Sequence, residues 1–313
     1  MSFRRRAAAA GTVLLALLCS YRKAAEPAVE AAVPKGFVDR TFHSQALGRD
    51  VTYRAFPASP LMMDRPAHVL YLLHGNGNTY RDWSKYSDVA KLAPTNSLLV
   101  MPEGRSSYFM NSASVAQDRY EDFITQDLIA DAERDLPKRR ERAVIGTSMG
   151  GFAAVVLAMK HPDLYEFAGA LNPAIDYAER GLSLRHFGQS LAVRRIFGPV
   201  GSATRRASDP FALAASVDPK RVPYIFLSAG DEEPLLEPIR RFDALLTKRG
   251  IAHEFHVLPG GHNWTQWNEA LPGMVTALEQ RIPMTVAKTR TRVSPTHRMR
   301  QERDERGTQF VAG

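Results

Sequence analysis

The chain has 313 residues, 44% of them hydrophobic and 24% charged, the proportions of a soluble globular protein able to bury a large core. Its net charge of +8 sits at the ends: residues 1–35 and 287–313 contribute +4 each, and residues 36–286 sum to zero. Basicity confined to the tails, with no nucleic-acid-binding motif between them, excludes a nucleic-acid module.

Arg4, Arg5 and Arg6 precede the apolar stretch 7–18, which reads as the hydrophobic region of an export signal and is short for a bilayer span. Cys19, the only cysteine, closes that stretch. It is a candidate lipid acceptor, with 20–35 as a tether to a membrane surface. Leu18 opposes this, because lipoprotein signals want a small residue before the cysteine. A plain secretory signal or an uncleaved anchor are the alternatives. The expected location is periplasmic or extracellular, and one cysteine leaves no internal disulfide.

Residues 37–44 and 51–56 flank Leu47-Gly48-Arg49-Asp50 and predict an opening hairpin. The stretches 69–73, 98–101, 144–145, 167–171 and 224–227 are continuously apolar, as in strands buried on both faces of a parallel sheet. Another strand is expected over 254–258. Helical patterns lie between them over 83–92, 123–136, 152–160 and 239–248. This alternation predicts one α/β domain over 36–286, a doubly wound sheet with its functional edge at the strand C-termini. Residues 176–221 break the rhythm and are either a partial lid over that edge or an elongated crossover. The tail 287–313 has charge without apolar periodicity and is expected to be disordered.

The most informative stretch is Gly146-Thr147-Ser148-Met149-Gly150, after Ala143-Val144-Ile145 and before the small and apolar run Gly151 to Ala158. A strand, a turn of small residues and a helix is the setting in which Gly-x-Ser-x-Gly holds its serine in a strained conformation with the hydroxyl exposed. Ser148 is therefore the candidate nucleophile.

A serine nucleophile needs a base and a carboxylate that orients the base, here following it in the order Ser, acid, His. His262 lies in a Gly-Gly turn after the strand 254–258 and is the candidate base. His253 and His256 fall on opposite strand faces, which argues against a metal pair, and no His-Glu-x-x-His occurs. Asp231, Glu232 and Glu233 follow the strand 224–227, and the residues alone do not separate them. The backbone N–H groups of Met149 and Asn76 are the candidate oxyanion donors. Neither metal nor organic cofactor is required by this chemistry.

Together, Tyr71-Leu72-Leu73-His74-Gly75, Asp82-Trp83, Met101-Pro102-Glu103-Gly104, Tyr120 to Ile124, Gly146 to Gly151 and Pro259 to Trp264 resemble the esterase D and feruloyl-esterase branch of the α/β-hydrolases. That branch includes S-formylglutathione hydrolases and mycolyltransferases. The resemblance covers roughly residues 37–281 and implies an α/β-hydrolase fold. It also implies that the acid lies three residues after Gly230, favouring Glu233 over Asp231, although many relatives carry Asp there. It makes Tyr108 and Asn111 candidate substrate contacts, with loop packing as their alternative. The function implied is that of a serine carboxylester hydrolase acting on short-acyl, aryl or feruloyl-type esters. An acyltransferase with a sugar or lipid acceptor, and a non-catalytic surface-binding protein, are the competing readings.

Overall fold

In the computed structural model, residues 33–57, 68–94, 96–136, 141–181 and 187–282 are described. The stretch read as an export signal, with Cys19, and the basic tail 287–313 lie outside the described residues. Strands β1 (Val38–Ser44), β2 (Arg49–Phe56), β3 (His68–Leu73), β4 (Ser97–Pro102), β5 (Glu141–Thr147), β6 (Phe167–Leu171), β7 (Tyr224–Gly230) and β8 (His253–Leu258) form one sheet, ordered β1-β2-β4-β3-β5-β6-β7-β8. The opening hairpin pairs antiparallel, β2 runs antiparallel to β4, and every other pairing is parallel. This is the doubly wound α/β sheet that the alternating pattern predicts, in the α/β-hydrolase arrangement that the resemblance implies.

Helices α1 (Asp82–Tyr86) and α2 (Val89–Leu92) follow β3. Helix α3 covers 120–132, with a π-helical turn at Phe123–Asp127, and α4 (Met149–Lys160) follows β5. Next come α5 (Phe187–Phe197), α6 (Ala203–Arg206), α7 (Pro210–Ser216), α8 (Leu236–Arg249) and α9 (Trp264–Arg281). Alternate residues of a strand face opposite ways, so β3 feeds two cores. Val69, Tyr71 and Leu73 join α3, α4, α5 and α8, whereas Leu70 and Leu72 join α1, α2 and α9. Because both faces are covered, the central strands carry no polar alternation.

The chain leaves β3 for β4 on one side and then crosses to β5 on the other, creating a topological switch point between β3 and β5. Such a point opens a crevice beyond the carboxyl ends of the strands. Ser148 follows β5 and Asn76 follows β3, so both stand at that crevice.

Two helical expectations change. The pattern over 83–92 is two short helices, because Ser87 is extended (φ −127°, ψ 158°) and breaks the ladder. Helix α9 was not anticipated: Pro272 and Gly273 in its middle hide the periodicity. Its start was readable, since Asn263 and Gln266 have capping spacing and the Asn263 side chain accepts the Gln266 N–H at 3.1 Å. Trp267, Leu271, Met274 and Leu278 form its buried stripe.

The segment read as lid or crossover packs through Phe197, whose ring meets Tyr108 and Phe152 edge-on at 5.4 Å each. Arg249 of α8 ties down its far end by donating to the carbonyls of Ala214 and Val217.

Candidate active site

The turn after β5 is built around close backbone approach. A Cβ at Gly146 would collide with the Gly150 backbone, and one at Gly150 would collide with the Leu73 carbonyl, so neither position accepts a larger residue. Between them Ser148 has φ 53° and ψ −111°, a left-handed conformation that an L-residue holds only when its surroundings over-determine it. The surroundings do so: its N–H donates to Leu171 O at 2.9 Å, and its carbonyl accepts from Phe152 and Ala174 N–H, each at 3.0 Å.

From Ser148 a line of hydrogen bonds runs inward. Ser148 Oγ lies 2.8 Å from His262 Nε2, and His262 Nδ1 lies 2.6 Å from Glu233 Oε2. Glu233 is only 5% exposed, so its charge must be met by protein donors. The Leu235 N–H reaches Oε1 at 3.0 Å, and the Asn172 side-chain amide reaches Oε2 at 2.5 Å. Burial alone would raise the Glu233 pKa; hydrogen bonding and charge from His262, with the Leu235 and Asn172 donors, outweigh it and hold the carboxyl below its ordinary value.

Asp231 and Glu232 are exposed, and neither faces the imidazole. Asp231 Oδ1 accepts the Gly260 N–H at 2.9 Å, and the Gly260 carbonyl accepts from Glu232 N–H at 3.0 Å. These bonds fasten the turn that carries His262 to the turn that carries Glu233.

The loop after β3 lies against the serine, since a Cβ at Gly75 would stand 3.5 Å from Ser148 Cβ. His74, fully buried, staples this loop: its Nδ1 bonds the Gly75 carbonyl at 2.8 Å and its Nε2 accepts the Gly104 N–H at 2.9 Å. Met149 opens α4, so its N–H has no acceptor within the helix, and Asn76 borders the same opening. A cavity of about 350 Å³ adjoins Ser148 and His262, walled by Asn76, Asn78, Asn263, Trp264 and Trp267. The Trp267 ring meets His262 edge-on at 5.4 Å, and Trp264 and Trp83 continue the stack at 4.9 and 5.3 Å. All three tryptophans of the chain thus converge beside the histidine. Trp83 Nε1 donates to Leu73 O at 3.1 Å, tying the stack to the strand that carries the His74–Asn76 loop.

The Esterase family model matches residues 44–278. The chain belongs to the Esterase family. An acetyl esterase of Caldicellulosiruptor saccharolyticus is 25% identical over 256 residues, covering 73% of this chain and 92% of that protein. An esterase of Mycobacterium tuberculosis is 30% identical over 224 residues, which are 62% of this chain and 48% of the relative; the chain spans about half of that protein. An S-formylglutathione hydrolase from Agrobacterium tumefaciens shares the fold, with a TM-score of 0.68 at 15% identity over 80% of this chain and 98% of that one. The protein is thus an enzyme, a carboxylic ester hydrolase.

In this esterase the two expected substrate contacts stand away from the cavity. Tyr108 is 5% exposed, and its ring packs against Phe152, Tyr177 and Phe197. The Asn111 side chain is spent on the start of α3, accepting from the Glu121 and Asp122 N–H groups and donating to Asp122 Oδ1 at 2.9 Å. These contacts, a ring in an aromatic cluster and an amide on the start of a helix, are those that the loop-packing alternative describes.

Sequence reasoning missed Asn172 in this esterase. It sits directly after β6 with φ 44°, which turns its amide toward Glu233 and, at 3.4 Å, the Gly261 carbonyl. The available signal was an asparagine between a strand end and Pro173, since Asn tolerates the left-handed region better than most residues. Among the described residues no group of three or more His, Cys, Asp or Glu side chains is arranged to hold a metal ion.

Proposed function

We propose that this esterase hydrolyses short-acyl and aryl carboxylic esters through an acyl-enzyme on Ser148. The observation that carries the proposal is the unbroken hydrogen-bond line from Ser148 through His262 to Glu233. In the forward step Ser148 Oγ attacks the ester carbonyl carbon while its proton passes to His262 Nε2. The oxyanion that forms is met by the N–H groups of Met149 and Asn76. As the intermediate collapses, the carbon–oxygen bond to the alcohol breaks and His262 returns the proton to the departing oxygen. Water then attacks the acyl-enzyme by the same route and releases the acid. Glu233 holds the imidazole in one tautomer and offsets the imidazolium charge.

The cavity supports the substrate class. At about 350 Å³ it lies at the low end of small-ligand pockets, roughly 300–1,000 Å³, and its indole walls suit a compact or aromatic group better than a long chain. The relative named an acetyl esterase points the same way. A panel of p-nitrophenyl esters of increasing acyl length, with methyl ferulate and acetylated sugars, tests this. Turnover is expected to peak among the shortest acyl chains or the feruloyl ester, with free acid as product. A peak at long chains, or acyl transfer to an added alcohol without release of acid, would overturn it.

The proposal includes export, which rests on Arg4 to Arg6 and the apolar stretch 7–18. N-terminal sequencing of the protein from its native host is expected to begin at or beyond Cys19. A full-length chain that retains Met1 or Ser2 and is found in the cytoplasm removes this part of the reading.

A further inference from the structure

The loop leaving β4 holds three non-glycine residues in the left-handed region, Arg105 (φ 48°), Tyr108 (φ 56°) and Phe109 (φ 53°). Such backbone is strained and persists where the surroundings hold it in place. Tyr108 gains its aromatic cluster, and Phe109 gains an edge-on contact with His74 at 5.3 Å. Arg105 gains no comparable contact. Its N–H donates to Glu103 Oε1 at 2.7 Å, but its exposed guanidinium has no hydrogen bond or ion pair among the described residues.

Arg105 borders a second cleft of about 350 Å³, between this loop, the start of α3 and α5. No residue of its lining is shared with the Ser148 cavity. Opposite Arg105, Arg195 Nη2 lies 2.9 Å from Asp118 Oδ2, and Asp118 is the one carboxylate in the lining. Behind the wall, Arg49 Nη2 donates to the Tyr120 hydroxyl at 2.7 Å, and Arg49 Nη1 stands 3.9 Å from Asp118. Two guanidinium groups, those of Arg195 and Arg49, therefore stand against the one carboxylate, and the Arg105 guanidinium is left without a counter-charge among the described residues. Tyr120 is only 3% exposed, and burial raises its pKa above the ordinary phenol value, against the opposing pull of Arg49 and Arg105. Its hydroxyl accepts from Arg49, so its own proton remains to be donated.

We propose that this cleft binds a tetrahedral oxyanion, either free phosphate or the phosphoryl group of a small molecule. Its donors come from three separate chain segments: the Arg105 guanidinium, the Arg195 guanidinium and the Tyr120 hydroxyl. Donors drawn from separate segments can be met by an anion that presents acceptor oxygens in several directions, as a tetrahedral oxyanion does. Guanidinium groups also form the stronger charge-assisted bonds that phosphate recognition uses. The site is separate from the ester chemistry and does not depend on the triad assignment.

Isothermal titration of the full-length protein with inorganic phosphate at low ionic strength tests the proposal. Glycerol phosphate serves as a second titrant, to distinguish the free ion from a phosphoryl ester. Saturable binding is expected to one or both, weakened about tenfold or more in Arg105→Gln, as loss of one charge-assisted donor implies. Arg119→Gln serves as the control, because Arg119 pairs with Asp122 and does not line the cleft; its binding is expected to match the parent. Phosphate should raise the melting temperature of the parent and of Arg119→Gln, and not that of Arg105→Gln. Non-saturable uptake by the parent, or undiminished affinity in Arg105→Gln, overturns the site.

Discussion

Ser148→Ala is expected to abolish ester hydrolysis, with a fall in kcat on the order of 10⁴–10⁶. The substitution removes one oxygen, and with it the bond to His262 Nε2 at 2.8 Å, while leaving the backbone bonds of the turn in place. Alanine faces the same strain at φ 53° that serine already bears, so melting temperature should change little, within about 1 kcal/mol of stability. A residual rate above that of water is compatible with the proposal, because the oxyanion donors and the cavity remain. Initial rates on a short p-nitrophenyl ester, measured on pure protein with an intact melting transition, decide the matter. Activity above a few per cent of the parent would remove Ser148 as nucleophile.

The second large effect separates the two acids. In Glu233→Gln the side chain keeps its shape but loses its charge, and its amide can present a donor to His262 Nδ1, favouring the wrong tautomer. The expected cost is up to about 10⁴ in kcat. Asp231→Asn should fall no more than about threefold, because the asparagine oxygen can still accept the Gly260 N–H. Both variants should melt cooperatively, which separates misorientation of the base from unfolding. A crippled Asp231→Asn beside a nearly normal Glu233→Gln would reverse the assignment.

These experiments bear on parts of the site that were unequally legible in the sequence. The surroundings of Ser148 were readable because the requirement there is local: small residues must let strand, turn and helix approach within backbone contact, and composition records it directly. The central strands were readable for a similar reason, since burial on both faces removes the polar positions. Helix α9 was obscured because Pro272 and Gly273 oppose helix locally, while Trp267, Leu271, Met274 and Leu278 pack into the core and outweigh that preference. Asn172 lies 61 residues from Glu233, a separation at which no sequence periodicity operates.

Tyr108 and Asn111 show the same limit from the other side. The loop that carries them matches its family pattern, yet where each side chain points depends on residues far along the chain. Phe197 and Phe152 hold the tyrosine ring, and the start of α3 takes the asparagine amide. The α/β alternation, the strand–Ser148–helix turn and the confinement of net charge to the two ends could be read without coordinates, because each is a property of neighbouring residues. Which of three adjacent carboxyl groups meets His262 depends instead on the packing of distant segments. Pairing of β7 with β8 brings the two turns together, with the Asp231 N–H on Leu258 O at 2.8 Å. In that arrangement Asp231 and Glu232 bind the Gly260 backbone, and Glu233 points inward to the imidazole. Consecutive side chains of a turn point in different directions, and the one that faces the histidine is set by the strand register beneath them rather than by the residue type.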